Sequence, residues 1–437
     1  MMPRKARLVC LAVAFLTPAA AQTGVWTSPV ALSTGGQGWE AAAAVDGNGN
    51  SVAVWDEIGS EAHIWSRAEL GAGSWGSVTQ VSPGSLGIQT TLVFPAVRIS
   101  AGGFATAVWT SEDGVWTADR PPTGKWNPAQ LLLPGVASPI FVMNSQGDAA
   151  VAWTVGGPTD PSSSVMAVLR PAGGAWTSSQ TVASGVHITA DHAGIGGNGA
   201  AVVTWESYTA VCGDGFCELS NYIPHASRQD AGSSAWVDSG MLLGPAADSH
   251  NALVALDSSG RAMLVALSGS GAYISATQAA SGGAWSPFNT VVDVQGISIV
   301  SDLASDNAGD VTMIYEAIGF STSQALAVAG SITHNAWSAP VVLSGSDTGV
   351  GQVYFALAPN GAALSTWLSS SATPEVHAVT RATAAGTWGS PVAVSQRGSS
   401  EIAPEAAAVN SAGNAIVIYS GYNAADVHTE YASSYTP

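Results

Sequence analysis

The sequence predicts an all-β protein: an eight-bladed β-propeller of four-stranded antiparallel blades, closed by the N-terminal strand completing the last blade. Three observations predict it. A tryptophan-led phrase recurs eight times, each repeat holds four short strand-like runs, and the first and last segments are offset by part of a blade.

The recurring phrase is seen in "WTSPVALS" at Trp26, "WGSVTQVS" at Trp75, "WSAPVVLS" at Trp337 and "WGSPVAVS" at Trp388. Weaker copies begin at Trp126, Trp176, Trp236 and Trp285. Successive spacings are 49, 51, 50, 60, 49, 52 and 51 residues. A fixed period of this length marks a repeat architecture, and four strands per period mark a propeller blade. In the first repeat the four runs are "WTSPVALS", "EAAAAVD", "SVAVW" and "AHIWSRAEL". Each is alternating or β-branched and lies between Gly, Asn, Asp and Ser, which leaves no room for a long helix. A stacked solenoid would expose its terminal edges, whereas a closed ring removes them.

Within a blade, "AAAAVD" reads as the innermost strand beside the central channel, where only small side chains fit. The turn after it, "DGNGN", returns as "NSQGD", "DSSGR" and "NSAGN". Gly there supplies a positive φ, and Asp or Asn bonds its own backbone. One or two carboxylates per turn fall short of the roughly six to eight oxygens calcium takes, so these turns read as structural. The chain opens on an outer-strand phrase and ends, in "DVHTEYASS", on a third-strand phrase. Residues 25–32 should therefore pair with 426–434 and latch the ring. Leu267 replaces the aromatic that ends the other second strands, which makes the fifth repeat the most degenerate.

The N-terminus, "MMPRKARLVCLAVAFLTPAAAQ", has the basic start, apolar middle and Ala19-Ala20-Ala21 finish of a secretory signal peptide. The reading is a leader over 1–21 and a single propeller domain over 22–437, exported to the extracellular space. The apolar run is too short to span a bilayer, so no membrane insertion is expected. The whole chain carries 12 Lys+Arg and 30 Asp+Glu. Removing Arg4, Lys5 and Arg7 leaves 9 − 30 = −21. Such a surface disfavours nucleic acid, and it disfavours anionic glycans unless basic residues are locally concentrated. Cys212 and Cys217, in "VCGDGFCELS", read as a short-loop disulfide in an oxidising compartment. No metal or cofactor is expected, and the protein is expected to be a monomer.

The segments of variable length, such as "VGGPTDPSSS" and "ESYTAVCGDGFCELSN", all follow second or outer strands. They emerge on one face of the disc, and length variation on one face is where a repeat scaffold binds its ligand. Three constellations lie there. The first is the aromatic ending each second strand: Trp55, Trp109, Trp153, Trp205, Tyr315, Trp367 and Tyr419. Packing between blades explains these most simply. Trp39, Tyr208, Tyr354 and Tyr422 break the repeat phase and are the aromatic candidates for ligand contact. The second is an acidic set: Asp56, Glu57, Glu112, Asp113, Glu206 and Glu316, where paired carboxylates could do acid–base work on a glycosidic bond. The third is His187, Asp191 and His192 with Asp248 and His250, flanking the cysteine loop, where imidazole and carboxylate together could move protons. His192 and Glu206 are the catalytic candidates; His187, Asp191 and His250 join the aromatics as binding candidates.

The phrase "WSAPVVLS…ALAPNGAALSTW" resembles the secreted bacterial repeat proteins grouped with sialidase-like, BNR-type propellers. The resemblance implies the fold. Enzymatic sialidases carry S-x-D-x-G-x-x-W boxes and an arginine trio that grips the substrate carboxylate, and this chain has no good box. Arg67, Arg120, Arg170, Arg228 and Arg381 share one third-strand position, which marks them as scaffold. Only Arg98, Arg261 and Arg397 remain in the mature chain, and no trio can be assembled. The functional expectation is a secreted, non-enzymatic propeller binding a neutral glycan or an extracellular protein through its variable-loop face. The alternative is a glycoside hydrolase or polysaccharide lyase using the acidic loops or the His187/His192/His250 cluster. A purely structural surface protein is the third reading.

Overall fold

The computed structural model describes residues 24–33, 37–58, 61–71, 73–86, 93–122, 124–135, 138–157, 160, 162–213, 216–242, 250–293, 297–319, 322–370, 373–395 and 402–437. The proposed leader, Asp248 and Arg397 lie outside them.

Eight antiparallel sheets follow one another along the chain, and the described residues contain no helix. Blade 1 runs from Gln37 to Gln80, blade 2 from Ala96 to Pro134, blade 3 from Ile140 to Gly185 and blade 4 from Ile188 to Met241. Blade 5 covers His250–Asp293, blade 6 Ile297–Val342, blade 7 Val350–Ala393 and blade 8 Ala403–Thr436. Each is built inner, second, third, outer strand, as the four-run pattern requires. The fifth repeat forms its blade in spite of Leu267, which pairs with His250 and Tyr273 at the end of the second strand.

The latch is present. Val25 and Trp26 pair with Thr436 and Tyr435, and Val30 and Ala31 pair with Ala432 and Tyr431. Between and beyond these pairs, Thr27 N–H donates to the Ser434 carbonyl (2.8 Å) and Leu32 N–H to the Glu430 carbonyl (2.7 Å). Leu32 is fully buried between blades 8 and 1. Gly24 at the start of this strand has no room for a side chain, because a Cβ would stand 2.3 Å from the Tyr435 ring.

The core is divided into eight clusters, one at every junction between adjacent blades. Trp55, Trp109, Trp153, Trp205, Tyr315, Trp367 and Tyr419 are all buried within them. The ring of second-strand aromatics is therefore the packing between wedges, as the repeat phase implied. Four of the third-strand arginines, Arg67, Arg170, Arg228 and Arg381, also serve the scaffold. Arg170 pairs with Asp119 at 2.7 Å and lies 4.8 Å over Trp176, and Arg381 lies 5.0 Å over Trp388.

On the short-turn face, the repeated Asp/Asn does two jobs. Asp46, Asn144, Asp257, Asp306 and Asn410 each accept backbone N–H groups of their own turn. The same turns are tied to their neighbours around the whole disc. Gly47 N–H reaches Ala101, Ala101 N–H reaches Ser145, Asn144 reaches Gly196, and Gly197 N–H reaches Asp257. Ser258 then bonds Asn307, Asn307 N–H bonds Pro359, Asn360 bonds Ser411, and Asn410 closes the belt on Asp46 at 2.7 Å.

The inner strands of all eight blades line a central cavity of about 480 Å³. Ala, Val, Ile and Leu make up about half of its lining residues, in keeping with the small-residue inner strands, but Arg98 and Asp302 project into it. Arg98 is open to solvent yet surrounded by protein on every side, since it stands in the channel. Burial pushes Asp302 up to about 6, opposed by the Arg98 guanidinium.

Candidate functional site

The inner strands enter from the variable-loop face, and there a shared irregularity governs the site. Six of them slip register just after entry, at Gly38/Ala41, Ala190/His192, His250/Leu253, Val300/Asp302, Gly351/Tyr354 and Pro404/Ala406. A bulge inserts unpaired residues and re-aims their side chains. Here the extra residues include Glu40, Asp191 and Glu405, so the device places carboxylates at the face. Entry residues with positive φ, among them Phe94 (44°) and Asn251 (56°), turn their N–H groups toward the preceding blade.

Two carboxyl clusters result. In blade 4, the bulged Asp191 is hydrogen-bonded to Glu206, the residue after the buried Trp205. Glu206 also accepts Asn251 N–H of blade 5 at 2.6 Å, and Asp191 accepts Ala252 N–H at 3.4 Å. Burial first, and the facing Asp191 second, push the Glu206 carboxyl far above the ordinary range. Glu206 thus keeps the proton and donates it to Asp191. Asp191 lines an open cavity of about 510 Å³ between blades 3 and 4, with Thr154, Thr189 and Ser138. Alongside runs a chain of rings: His187 stacks on Tyr208 (6.0 Å), Tyr208 meets Tyr222 (5.6 Å), and Tyr222 meets His250 (5.8 Å).

The second cluster spans blades 8 and 1, with Tyr354 of blade 7 beside it. Asp56 accepts Glu40 N–H at 2.7 Å, Glu40 accepts Phe94 N–H at 2.8 Å, and Glu405 accepts the Ser420 hydroxyl at 2.7 Å. Behind them Glu430 is fully buried, and neither of its carboxyl oxygens has a partner among the described residues. Burial, then the charges of Glu405 and Asp56, raise its pKa well above the usual value. Burial likewise pushes Asp56 up to about 6 and Glu405 up to about 7. Among the described residues no cation pairs with this group, so its carboxyls are driven toward the protonated form. Trp39 and Tyr422 both pack on His428, at 4.7 and 5.1 Å, and Tyr354 lies within electrostatic reach of Glu405 and Glu40. Trp39 and Tyr354 remain 41% and 37% exposed.

The sequence candidates thus divide. Asp191 and Glu206 meet directly, with His187, Tyr208 and His250 in the row of rings beside them. Trp39, Tyr354 and Tyr422 gather at the other cluster. His192 does not join Glu206. The bulge at Asp191 breaks the alternation, so His192 falls on the channel side, where its Nδ1 accepts Val254 N–H at 3.3 Å. Burial there lowers its pKa to about 4, with the Arg98 charge adding to the effect. Cys212 and Cys217 are cross-strand partners near the tip of a hairpin whose strands, at 13 and 14 residues, are the longest described. Their side chains lie outside the described residues. Glu112 and Asp113 are exposed in their loop. Sequence reasoning missed Glu40, Glu405 and Glu430. Only a bulge and a blade junction bring them together, and neither leaves a spacing to read. Among the described residues no three His, Cys, Asp or Glu converge as metal ligands.

No family model and no curated protein matches the chain. Solved structures do. The BP39L lectin from Burkholderia pseudomallei superposes with a TM-score of 0.52 at 14% identity, over 83% of this chain and 100% of the lectin. The Dos1 propeller gives 0.51 at 10% identity, over 94% of this chain and 95% of its own. The polysaccharide lyase Uly1 gives 0.50 at 9% identity, over 93% and 98%. At such identities the likeness is one of fold: this chain is similar in architecture to β-propellers that include a lectin and a polysaccharide lyase.

Proposed function

We propose that this chain is a secreted, non-enzymatic β-propeller that binds a neutral glycan through its variable-loop face. The reading rests on one observation: the Asp191 carboxylate on the wall of the cavity between blades 3 and 4, beside Thr154 and Thr189 and backed by the buried Glu206 to which it is bonded. An Asp191 carboxylate held in place by the Glu206 proton offers acceptor lone pairs at fixed positions, which suits the hydroxyls of a sugar ring. No Lys or Arg is among the described residues that line this cavity, so a carboxylated or sulfated ligand would meet like charge from Asp191 there. The architectural likeness to the BP39L lectin is in keeping with the reading.

A carbohydrate-active enzyme is the second reading, favoured by Glu206, which keeps its proton and could serve as a general acid. Geometry weighs against it. Glycosidases hold their two carboxyl groups about 5 Å or more apart to admit the sugar carbon or a water. Here the two groups bond each other, and His192 is turned away. Binding by the mature protein to a panel of neutral oligosaccharides, read by calorimetry, tests the proposal. Asp191→Asn should weaken the interaction roughly tenfold, the cost of one charge-assisted hydrogen bond. Absence of binding to every neutral glycan, or polysaccharide cleavage lost in Glu206→Gln, would overturn it.

A further inference from the structure

Four of the five repeat arginines donate hydrogen bonds within the scaffold, although Nε of Arg170 and of Arg381 has no partner among the described residues. Arg67 donates to the Gly76 and Ala31 carbonyls, and Arg228 to Asp230 and the Gly260 and Ala280 carbonyls. Arg170 donates to Asp119 and Thr106, and Arg381 to Thr312 and the Gly361 carbonyl. Arg120 is the exception. Its guanidinium makes no hydrogen bond or ion pair with a described residue, although it occupies the same place in blade 2.

What Arg120 faces is a cavity of about 390 Å³ at the rim, between the outer edges of blades 1 and 2. Arg67 and Lys125 line it too, and the half-buried indoles of Trp75 and Trp126 form part of its wall. Three of the chain's 12 Lys+Arg therefore meet in one hollow, in a protein with 30 Asp+Glu, and no carboxylate is among the lining residues. Lys125 is exposed and is the sole lysine beyond the proposed leader. The nearest acidic influence on Arg120 is Asp46, whose oxygens already accept Asn48 N–H, Asn50 N–H and the Asn50 side-chain amide.

We infer that this hollow is a binding site for an anionic sugar residue, bearing a carboxylate or a sulfate ester, distinct from the neutral-glycan site on the variable-loop face. A guanidinium presents donors in a planar fork that matches an oxyanion, and Lys125 adds a mobile second charge. The indoles supply the flat apolar surface on which the C–H face of a pyranose packs, which an inorganic anion would not use. Polyanionic nucleic acid is disfavoured by the chain's formal charge of −18. A short ligand engaged inside the hollow escapes most of that field, because salt screens it beyond roughly 8 Å.

The test titrates the full mature protein with an oligogalacturonate and with a sulfated galactan oligosaccharide, which separate the carboxylate from the sulfate source. The methyl-esterified and unsulfated counterparts serve as neutral controls. Either anionic ligand should bind and change the tryptophan emission, and its neutral counterpart should not. Arg120→Gln should weaken binding roughly tenfold or more, the loss of a charge-assisted pair. Its melting temperature should stay at the wild-type value, because Arg120 holds nothing in place, whereas Arg170→Gln should lower it. Asp191→Asn should leave the anionic ligand bound, which keeps this site's failure separate from that of the neutral-glycan site. The inference is overturned if neither anionic ligand binds, if Arg120→Gln binds as wild type does, or if inorganic sulfate competes at the saccharide's own concentration.

Discussion

The acidic cluster at blades 8 and 1 predicts an unusual pH dependence of stability. Asp56 is almost fully buried and has its pKa pushed from an ordinary 3.8 up to about 6, chiefly by burial. For a carboxyl raised on folding, the folded state binds more protons than the unfolded chain between the two pKa values. Stability is therefore greatest at low pH within that window and falls as pH rises through it. Worked through the linkage relation, Asp56 alone costs about 2 kcal/mol between pH 4 and pH 7. Glu405, raised from 4.5 to about 7, acts in the same direction, and so does Glu430. The decisive perturbation is Asp56→Asn, which retains an oxygen to accept Glu40 N–H but cannot ionise. Urea unfolding followed by tryptophan fluorescence should show wild-type stability declining from pH 4 to pH 7. In Asp56→Asn the decline should be shallower by about 2 kcal/mol, with the variant the more stable protein at pH 7. Parallel pH profiles for the two proteins, or wild-type stability that rises over this range, would refute the reasoning.

Other outcomes follow from the same contacts. Leu32→Ala, in the buried latch between blades 8 and 1, should cost about 2–5 kcal/mol by denaturant titration, as core truncations do. Asn144→Ala removes the acceptor of three turn N–H groups and the link to Gly196, and should cost about 2–3 kcal/mol by the same assay. Affinity for a neutral glycan should fall from pH 7 to pH 5, because the Asp191 carboxyl, pushed up to about 6 by burial, takes a proton in that range while Glu206 keeps its own; calorimetry at three pH values checks this.

How far the site was legible depends on what kind of neighbour each residue needed. Glu206 and Asp191 were both visible as acidic residues near a variable loop, yet their direct bond depends on one extra residue in an inner strand. His192 shows the converse: adjacent to Asp191 in sequence, it is carried to the channel by that same bulge. Glu430 looked like an ordinary third-strand position and is fully buried against Asp56 and Glu405 from two other strands. Arg120 read as one of five equivalent arginines. Only its lack of partners among the described residues, set against the bonds that Arg170 and Arg381 make to Asp119, Thr106 and Thr312, distinguishes it.

The period of about 50 residues, the four strand runs and the offset ends determined the disc, its eight wedges, its latch and the burial of its second-strand aromatics. Those features are local or repeat in register, so the order of residues along the chain carries them. Which carboxyls share a proton, which histidine faces the channel and which hollow collects the cations were decided by tertiary structure alone. Each depends on bulges and blade junctions that bring together residues far apart in the chain, where burial and mutual charge set their chemistry.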